Sequence, residues 1–203
     1  MKTFWKGDET WVYSYDVETT VQSSQWVGKS SPRPKKACQS RSNVKAMLTV
    51  FLTGRVLFIM SLFHVVRVNK EFYLKVMKRL REAVRRKRPE AWTNKTWMLH
   101  HDNAPAHASL LIREFLVKQD TIVMPQPPYS PDLAPADFFL FPKLKSTLKG
   151  RRFQMIEEIK ENSLQDLRAI PQNTFQDAFQ NWKKRWERCI NSRGEYFEGD
   201  KSD

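Results

Sequence analysis

The sequence is poor in cysteine. Its 203 residues include Cys38 and Cys189 alone, which lie far apart and have no C-x-x-C pair or histidine partner at zinc-binding spacing. A disulfide framework and a zinc finger both require clustered ligands or cysteines. The sequence therefore excludes both kinds of scaffold and is typical of a reducing compartment.

Long apolar runs are also scarce. The first ten residues, MKTFWKGDET, lack the apolar core of a signal peptide, so we expect the protein to stay inside the cell. Residues 47–66 are apolar over about the length of a membrane span, but Arg55 and His64 interrupt them. Gly54 and Arg55 divide this run into two segments of strand length. The pattern predicts a pair of buried strands and no membrane partner.

Acidic residues are in the minority, with 22 Asp and Glu against 35 Lys and Arg, which gives a formal net charge of +13. This balance favours a polyanionic partner such as nucleic acid, although ribosomal, membrane-surface and many other soluble proteins are equally basic. Residues 27–45 contain six basic residues, two prolines and no acid. They predict an extended, cationic loop, which is either a solvated linker or a DNA-contacting arm.

The hydrophobic pattern indicates one α/β or α+β domain, because 40% of the residues are hydrophobic, enough for a single core. Alternation predicts a strand over residues 3–16, interrupted at Asp8. Short apolar segments predict strands over 96–101 and 121–124. Helices are predicted after an Asn69 N-cap, over 105–118, from about Ala136, over 156–170 and over 174–190.

Three aspartates occupy positions that are unusual for a charged residue. Asp8 lies in an aromatic strand, Asp102 follows an apolar strand, and Asp137 begins an apolar helix. Each has an ordinary structural explanation: a turn after Gly7, an Asx turn, and a favourable charge at a helix N-terminus. Together they describe carboxylates at adjoining strand ends and a helix start, which suits a hard divalent cation.

Several segments of the sequence resemble those of mariner transposases. The segments HHDNAPAH at residues 100–107 and YSPDLAPADFFLFPKLK at 129–145 are closely similar to signature segments of that family. Further similar segments are GDETWVY at 7–13, SQWVGKSSPRPKK at 24–36, LKGRRF at 148–153 and GEYFEGD at 194–200. Segments of this length in this order are not a chance event, and the resemblance covers nearly the whole chain.

The resemblance implies that residues 1–203 form one catalytic domain, an α/β RNase H-like mixed sheet flanked by helices, of the DDE/D transposase and integrase superfamily. It also implies metal-dependent DNA strand cleavage and strand transfer in cut-and-paste transposition. The family's last two aspartates are separated by thirty-four residues, and Asp102 and Asp137 match that separation. Asp8 in GDET matches the first. These three are the expected catalytic ligands of two Mg²⁺ or Mn²⁺ ions, with Asp132 outside the triad.

The same resemblance implies that the basic segment, about residues 22–46, is a clamp-like loop that reaches DNA and a partner subunit. Its expected DNA-binding residues are Lys29, Arg33, Lys35, Lys36 and Arg41. Trp26 is expected as a buried anchor, with stacking at the site as the alternative. The implied partners are transposon-end and target DNA and a second copy of the chain, in the nucleus, with no small-molecule cofactor.

Two departures from the family leave an alternative open. Family members carry two helix-turn-helix modules upstream, which we expect to be absent here, and residues 52–67 replace the family's acidic, glycine-containing hairpin with an apolar segment. The alternative is an inactive transposon-derived remnant that binds DNA only non-specifically. The roles of His100, His101 and His107 also stay open between DNA contact, support of the ligands and ordinary structural histidines.

Overall fold

The computed structural model describes residues 3–32, 35, 39–54, 57–63 and 68–195, of which 57–63 are described by their backbone. These residues contain a mixed sheet of five strands in the order β3-β2-β1-β4-β5. The strands are β1 (Thr3–Tyr13), β2 (Lys45–Leu52), β3 (Leu57–Phe63), β4 (Trp97–His100) and β5 (Ile122–Met124).

Helices cover both faces of the sheet. Between β3 and β4 lie α1 (Lys70–Lys87) and α2 (Pro89–Thr93), and α3 (Leu110–Lys118) joins β4 to β5. After β5 come a 3₁₀ turn (Pro131–Leu133), a π-helical turn (Ala136–Leu140), α4 (Phe141–Leu148), α5 (Ile156–Arg168) and α6 (Gln172–Asn191). The interleaving of helices with strands follows from the parallel pairs, which need crossover connections.

The central strand β1 separates two hydrophobic cores. It pairs antiparallel with β2 and parallel with β4, and β4 pairs parallel with β5. Successive side chains of a strand point to opposite faces. Val12 therefore packs with the inner residues of β2 against α4, α5 and α6, whereas Trp5 packs with Leu99 against α1 and α3.

The described residues of the apolar run 47–66 form a strand pair, as the pattern predicts. Strands β2 and β3 run antiparallel, with Met47 opposite Phe63 and Leu52 opposite Leu57. Residues 55–56 and 64–67 of the segment that departs from the family lie outside the described residues. Among the described helices, none combines the length and the apolar character needed to cross a bilayer.

Two predictions of element boundaries were wrong. Strand β1 passes through Asp8 without interruption, because Asp8 stays paired with Val50 of β2, so the turn after Gly7 does not form. The helix predicted over 105–118 begins at Leu110, because residues 104–108 form a turn closed by the carbonyl of Ala104. The Asn69 N-cap is confirmed: its side-chain oxygen accepts a hydrogen bond of 2.8 Å from the amide of Phe72.

Close packing at Gly7 gives a first prediction. Gly7 lies opposite Phe51 on β2, and a Cβ atom at Gly7 would overlap the Phe51 ring. We expect Gly7→Ala to lower the free energy of unfolding by about 1–3 kcal/mol, because the strand or the ring must shift. Urea denaturation measures the loss. The matched control is Gly54→Ala, whose Cβ would lie at an ordinary 3.4 Å from the Phe179 ring; equal losses in both variants would contradict the steric explanation.

Candidate active site at the strand ends

The parallel pairing of β1 and β4 brings Asp8 and Asp102 to the same edge of the sheet. Lys6 lies opposite His100, the last residue of β4, so that Asp8 and Asp102 each follow two residues later on their own segments. Asp8 is buried within β1, whereas Asp102 is half-buried in the turn beyond β4. The side chains of Lys6 and Asp8 share one face of the sheet, because they are two residues apart in a strand.

Asp137 comes to the same place from the segment that follows β5. It lies on the π-helical turn between buried Ala136 and Leu140, and its amide donates to the carbonyl of Ala134 at 2.9 Å. The preceding 3₁₀ turn is fixed by Trp182, whose indole N–H donates to the carbonyl of Leu133 at 2.8 Å. This anchoring places the Asp137 carboxyl close enough to Asp8 for each group to affect the pKa of the other.

The electrostatics of the site favour a protonated carboxyl in this pair. Burial and, next, the charge of Asp137 raise the pKa of Asp8 to about 8, against the opposing effect of Lys6. Burial also raises the pKa of Asp137. The pair is therefore short of positive charge and holds a proton in the absence of a cation.

Lys6 is a positive charge at this site that sequence reasoning missed. Its side chain is fully buried, and its ammonium donates a hydrogen bond to Oε1 of Gln126. Burial lowers the pKa of Lys6, and the surrounding Asp8, Asp102 and Asp137 oppose that change. The Lys6 ammonium thus faces three carboxyl groups. In the sequence, the position of Lys6 two residues before Asp8 in a predicted strand was the signal that could have identified it.

Asp102 has a different environment from the other two aspartates. Its Oδ1 accepts hydrogen bonds from the amide of Ala104 at 3.1 Å and from Nδ1 of His107 at 2.5 Å. Burial opposes ionisation of Asp102, but the hydrogen bond and charge of His107 outweigh it and lower the pKa to about 2. The bond to Ala104 forms the Asx turn expected from the sequence. Asp102 forms this turn and also lies beside Asp8 and Asp137.

The three histidines divide into two kinds. His100 contacts the carbonyl of Met124 through Nδ1 at 3.3 Å, and Nδ1 of His101 accepts the Tyr73 hydroxyl at 2.8 Å. Burial lowers the pKa of His100 to about 4 and that of His101 to about 3, as for neutral histidines inside a core. His107 instead lies between Asp102 and Glu9.

The donor set fits a hard divalent cation. Among the described residues, no three histidine, cysteine or acidic side chains converge at metal-ligand distances. The oxygen donors present are nevertheless those that Mg²⁺ and Mn²⁺ prefer. The raised pKa values of Asp8 and Asp137 mark a place where a cation would neutralise both, and the lowered pKa of Asp102 keeps it ionised beside them. Asp132 is exposed on the surface and lies outside this group.

The described part of the basic loop is largely exposed. Residues 24–32 are all exposed, and Trp26 is fully so, which makes the expectation of a buried anchor wrong. Lys29 and Lys35 are also exposed, while Arg33 and Lys36 lie outside the described residues. Arg41 pairs with Asp16 at 2.9 Å and covers the Tyr13 ring, so it ties the loop to β1.

The buried acids give a second prediction, for the metal-free chain. Asp8 has a folded-state pKa of about 8 against an ordinary 3.8, so the folded state holds a proton that the unfolded state releases. The stability that this proton provides is lost as the pH rises from about 4 to 8, at up to about 1.4 kcal/mol per pH unit. His107, whose pKa is raised to about 9, adds a loss of the same sign above pH 6.5.

Below pH 6.5 the lowered pKa values of His100 and His101 oppose this loss, because the unfolded state there binds protons that the folded state does not. We therefore expect the thermal unfolding midpoint in EDTA to fall between pH 6.5 and pH 8. Asp8→Asn should flatten this dependence, since the amide has no proton to lose. Asp132→Asn changes an exposed aspartate and should leave the slope as it is. Identical slopes in all three proteins would show that the buried carboxyl pair does not control the pH dependence.

Comparisons of sequence support the same family. Residues 16–94 match the family model described as Transposase (partial DDE domain), a range that ends before Asp102 and Asp137. The Mariner Mos1 transposase of Drosophila mauritiana is 30% identical over 194 residues, which cover 95% of this chain and 55% of that protein. The histone-lysine N-methyltransferase SETMAR of Homo sapiens is 26% identical over 94% of this chain and 28% of that protein. The chain spans about half the length, or less, of these relatives.

Comparisons of structure confirm the fold class. A pre-cleavage Mos1 transpososome matches with a TM-score of 0.86 and 29% identity, over 96% of this chain and 57% of that one. The Mos1 transposase catalytic domain in complex with Raltegravir and Mg matches with a TM-score of 0.77 and 28% identity, over 96% of this chain and 85% of that one. The sequence and the fold both match Mos1 along nearly the whole of this chain. The chain therefore belongs to the mariner transposases and has the RNase H-like fold of the mariner catalytic domain.

Proposed function

We propose that this chain catalyses metal-dependent DNA strand cleavage and strand transfer as the catalytic domain of a mariner-type transposase. The observation that supports the proposal most directly is the meeting of Asp8, Asp102 and Asp137 at one edge of the sheet. Solved Mos1 complexes that contain Mg or Mn add support for a divalent metal. Residues 1–203 act as one catalytic unit in this proposal.

The aspartates are the proposed ligands of two Mg²⁺ or Mn²⁺ ions. When bound, such ions activate an attacking water or DNA 3′-OH and stabilise the leaving oxygen of the phosphodiester. The chain's own contribution is to set the protonation and the orientation of these three aspartates. Asp8 and Asp137 would hold the cation in place of the proton that the raised pKa of Asp8 retains, while Asp102 is already ionised and held by its hydrogen bonds.

DNA is the proposed partner, bound as transposon ends and target. The formal charge of +13 and the exposed Lys29 and Lys35 favour contact with phosphates, which carries no base information by itself. Arg33, Lys36 and Arg41 complete the proposed DNA-binding set. Mos1 has been solved as a paired-end complex with the left transposon end and as a strand transfer complex. We extend this assembly to the present chain as a DNA-bound homodimer acting in the nucleus.

The exposed Trp26 fits this assembly. A fully exposed indole on a cationic segment has no contact with the core of its own chain. Aromatic side chains are enriched at protein interfaces and also stack on nucleic-acid bases. We propose that Trp26 becomes covered when the loop meets DNA or the second subunit.

The test of activity is cleavage of a nicked duplex that ends in a mariner terminal repeat, with Mg²⁺ or Mn²⁺ present. We expect the unmodified chain to cut and Asp102→Ala to lose at least about 100-fold of the rate, since loss of an outer partner of a metal ligand alone costs about 10–100-fold. Joining of the 3′ end to a plasmid measures strand transfer. Circular dichroism confirms that each variant is folded.

The matched control is Asp132→Ala, which removes an exposed carboxylate from the same signature segment as Asp137 and should leave cleavage unchanged. Absent activity in the folded unmodified chain would overturn the enzymatic proposal and leave the transposon-derived remnant as the explanation. Equal losses in both variants would show that the triad is assigned incorrectly.

Lys6 gives a prediction about metal affinity. Its buried ammonium repels a cation at the same carboxylates, so Lys6→Met should tighten Mn²⁺ binding, on the order of tenfold for a unit charge a few ångströms away. Removal of Lys6 also favours protonation of these carboxylates. A proton has half the charge of a divalent ion, so its binding free energy improves by only half as much, and the net effect is still tighter Mn²⁺ binding. Isothermal titration calorimetry measures the dissociation constant. Lys6→Arg keeps the charge and should bind like the parent; a weaker affinity in Lys6→Met would contradict the repulsion.

A further inference from the structure

His107 connects two carboxylates that come from different parts of the sheet. Its Nδ1 donates to Oδ1 of Asp102 at 2.5 Å, and its Nε2 lies 3.4 Å from Oε2 of Glu9. The imidazole is buried, and the side chain of Glu9 is also nearly so. Each of the two ring nitrogens therefore faces a carboxylate of this chain.

The strand geometry explains how Glu9 reaches this position. Asp8 and Glu9 are neighbours in β1, so their side chains point to opposite faces of the sheet. Asp8 faces Asp137, while Glu9 faces the side covered by α1 and the turn before α3. His107 therefore ties the turn that carries Asp102 back to β1.

The face of the His107 ring is fixed as well as its edges. The ring of Tyr73 on α1 lies against it, with the centroids 3.8 Å apart and the planes inclined by 30°. Tyr73 is fully buried, and its hydroxyl is held by Nδ1 of His101. Rotation of the imidazole would break the contact with Tyr73 and both contacts with the carboxylates.

The hydrogen bonds around Asp102 are asymmetric. The amide of Ala104 and Nδ1 of His107 both donate to Oδ1. With Oδ1 occupied by two donors, the carboxylate plane is fixed and Oδ2 is the oxygen that remains for a ligand outside this network. Outer hydrogen bonds of this kind orient metal ligands and affect metal affinity.

We infer that His107 is a positioning residue: its Nδ1–H holds Oδ1 of Asp102 so that Oδ2 is presented to the metal, and Glu9 keeps the imidazole oriented for this task. This inference rests on the proposed function, because it gives His107 a role at the same metal site. A histidine that merely fills the core would contribute through its volume and its contact with Tyr73, without dependence on which ring nitrogen is retained.

Two amide substitutions separate these roles. The amide nitrogen of His107→Asn takes the place of Nδ1 and keeps the bond to Asp102, whereas that of His107→Gln takes the place of Nε2 and keeps only the contact with Glu9. Both variants lose the stacked ring. We expect His107→Asn to bind Mn²⁺ within about threefold of the parent, and His107→Gln to bind about 10–100-fold more weakly. Titration followed by the electron paramagnetic resonance of free Mn²⁺ gives both constants, and the cleavage rates should follow the same order.

A second measurement uses metal-free protein and needs no activity. The ¹³Cγ resonance of Asp102 should lie near its parental position in His107→Asn and move in His107→Gln, since only the first keeps the hydrogen bond. In ¹⁵N-histidine-labelled parent protein, the Nδ1–H proton of His107 should give a downfield signal that Asp102→Asn shifts.

The results distinguish the inference from the proposed function. Equal changes of the Asp102 resonance and of Mn²⁺ affinity in the Asn and Gln variants would overturn the positioning role and leave a core histidine. A parent chain that shows the expected resonances but neither binds Mn²⁺ nor cuts DNA would overturn the proposed function, and with it the role of His107 toward a metal. If neither variant folds, absence of the downfield proton in the parent overturns the inference.

Discussion

Burial of several carboxylates at one edge of the sheet is the constraint on which the rest of the site depends. A buried charge must be neutralised, paired or protonated, because removal from water is otherwise too costly. Each solution is used here. The raised pKa of Asp8 keeps it protonated beside Asp137, Asp102 is paired with His107, and a buried ammonium from Lys6 faces all three. A divalent cation would replace the proton and relieve the same shortage of positive charge, which links the metal-free stability of the domain to its proposed chemistry.

Strand β1 organises these solutions because its side chains alternate between two faces. One face carries Lys6 and Asp8 toward the π-helical turn, and the other carries Trp5 and Glu9 toward α1 and the turn before α3. The same strand therefore provides a proposed ligand on one face and support for a second ligand on the other. A shift of β1 by one residue would exchange these faces, so the register of β1 between β2 and β4 is as important to the site as the aspartates themselves.

Local patterns in the sequence predicted the elements better than they predicted the contacts between them. Alternation predicted β1 and short apolar segments predicted the other strands, while resemblance to a family gave the three aspartates, of which Asp8 and Asp102 are brought to one edge by the pairing of β1 with β4. The contact between Lys6 and Gln126 joins residues 120 positions apart and has no local signature. The support of Asp102 by His107 was hidden by the prediction of a helix over 105–118, because hydrogen bonds to Asp102 and Ala104 stabilise a turn there instead. The exposure of Trp26 was missed because an aromatic residue is usually an anchor, whereas residues 24–32 have no core beneath them.

The apolar segment that departs from the family has a limited effect on the site because of where it lies. Strand β3 is at the edge of the sheet, and β2 separates it from β1. Asp8 depends on β2 for its backbone pairing, through Val50, and β2 keeps its full pairing with β1 from Lys6 to Tyr13. An edge strand needs a pairing backbone more than a particular set of side chains, and β-branched and aromatic segments satisfy that need. The segment's consequence is therefore expected at the open edge of β3, which is a template for association with other strands, rather than at the aspartates.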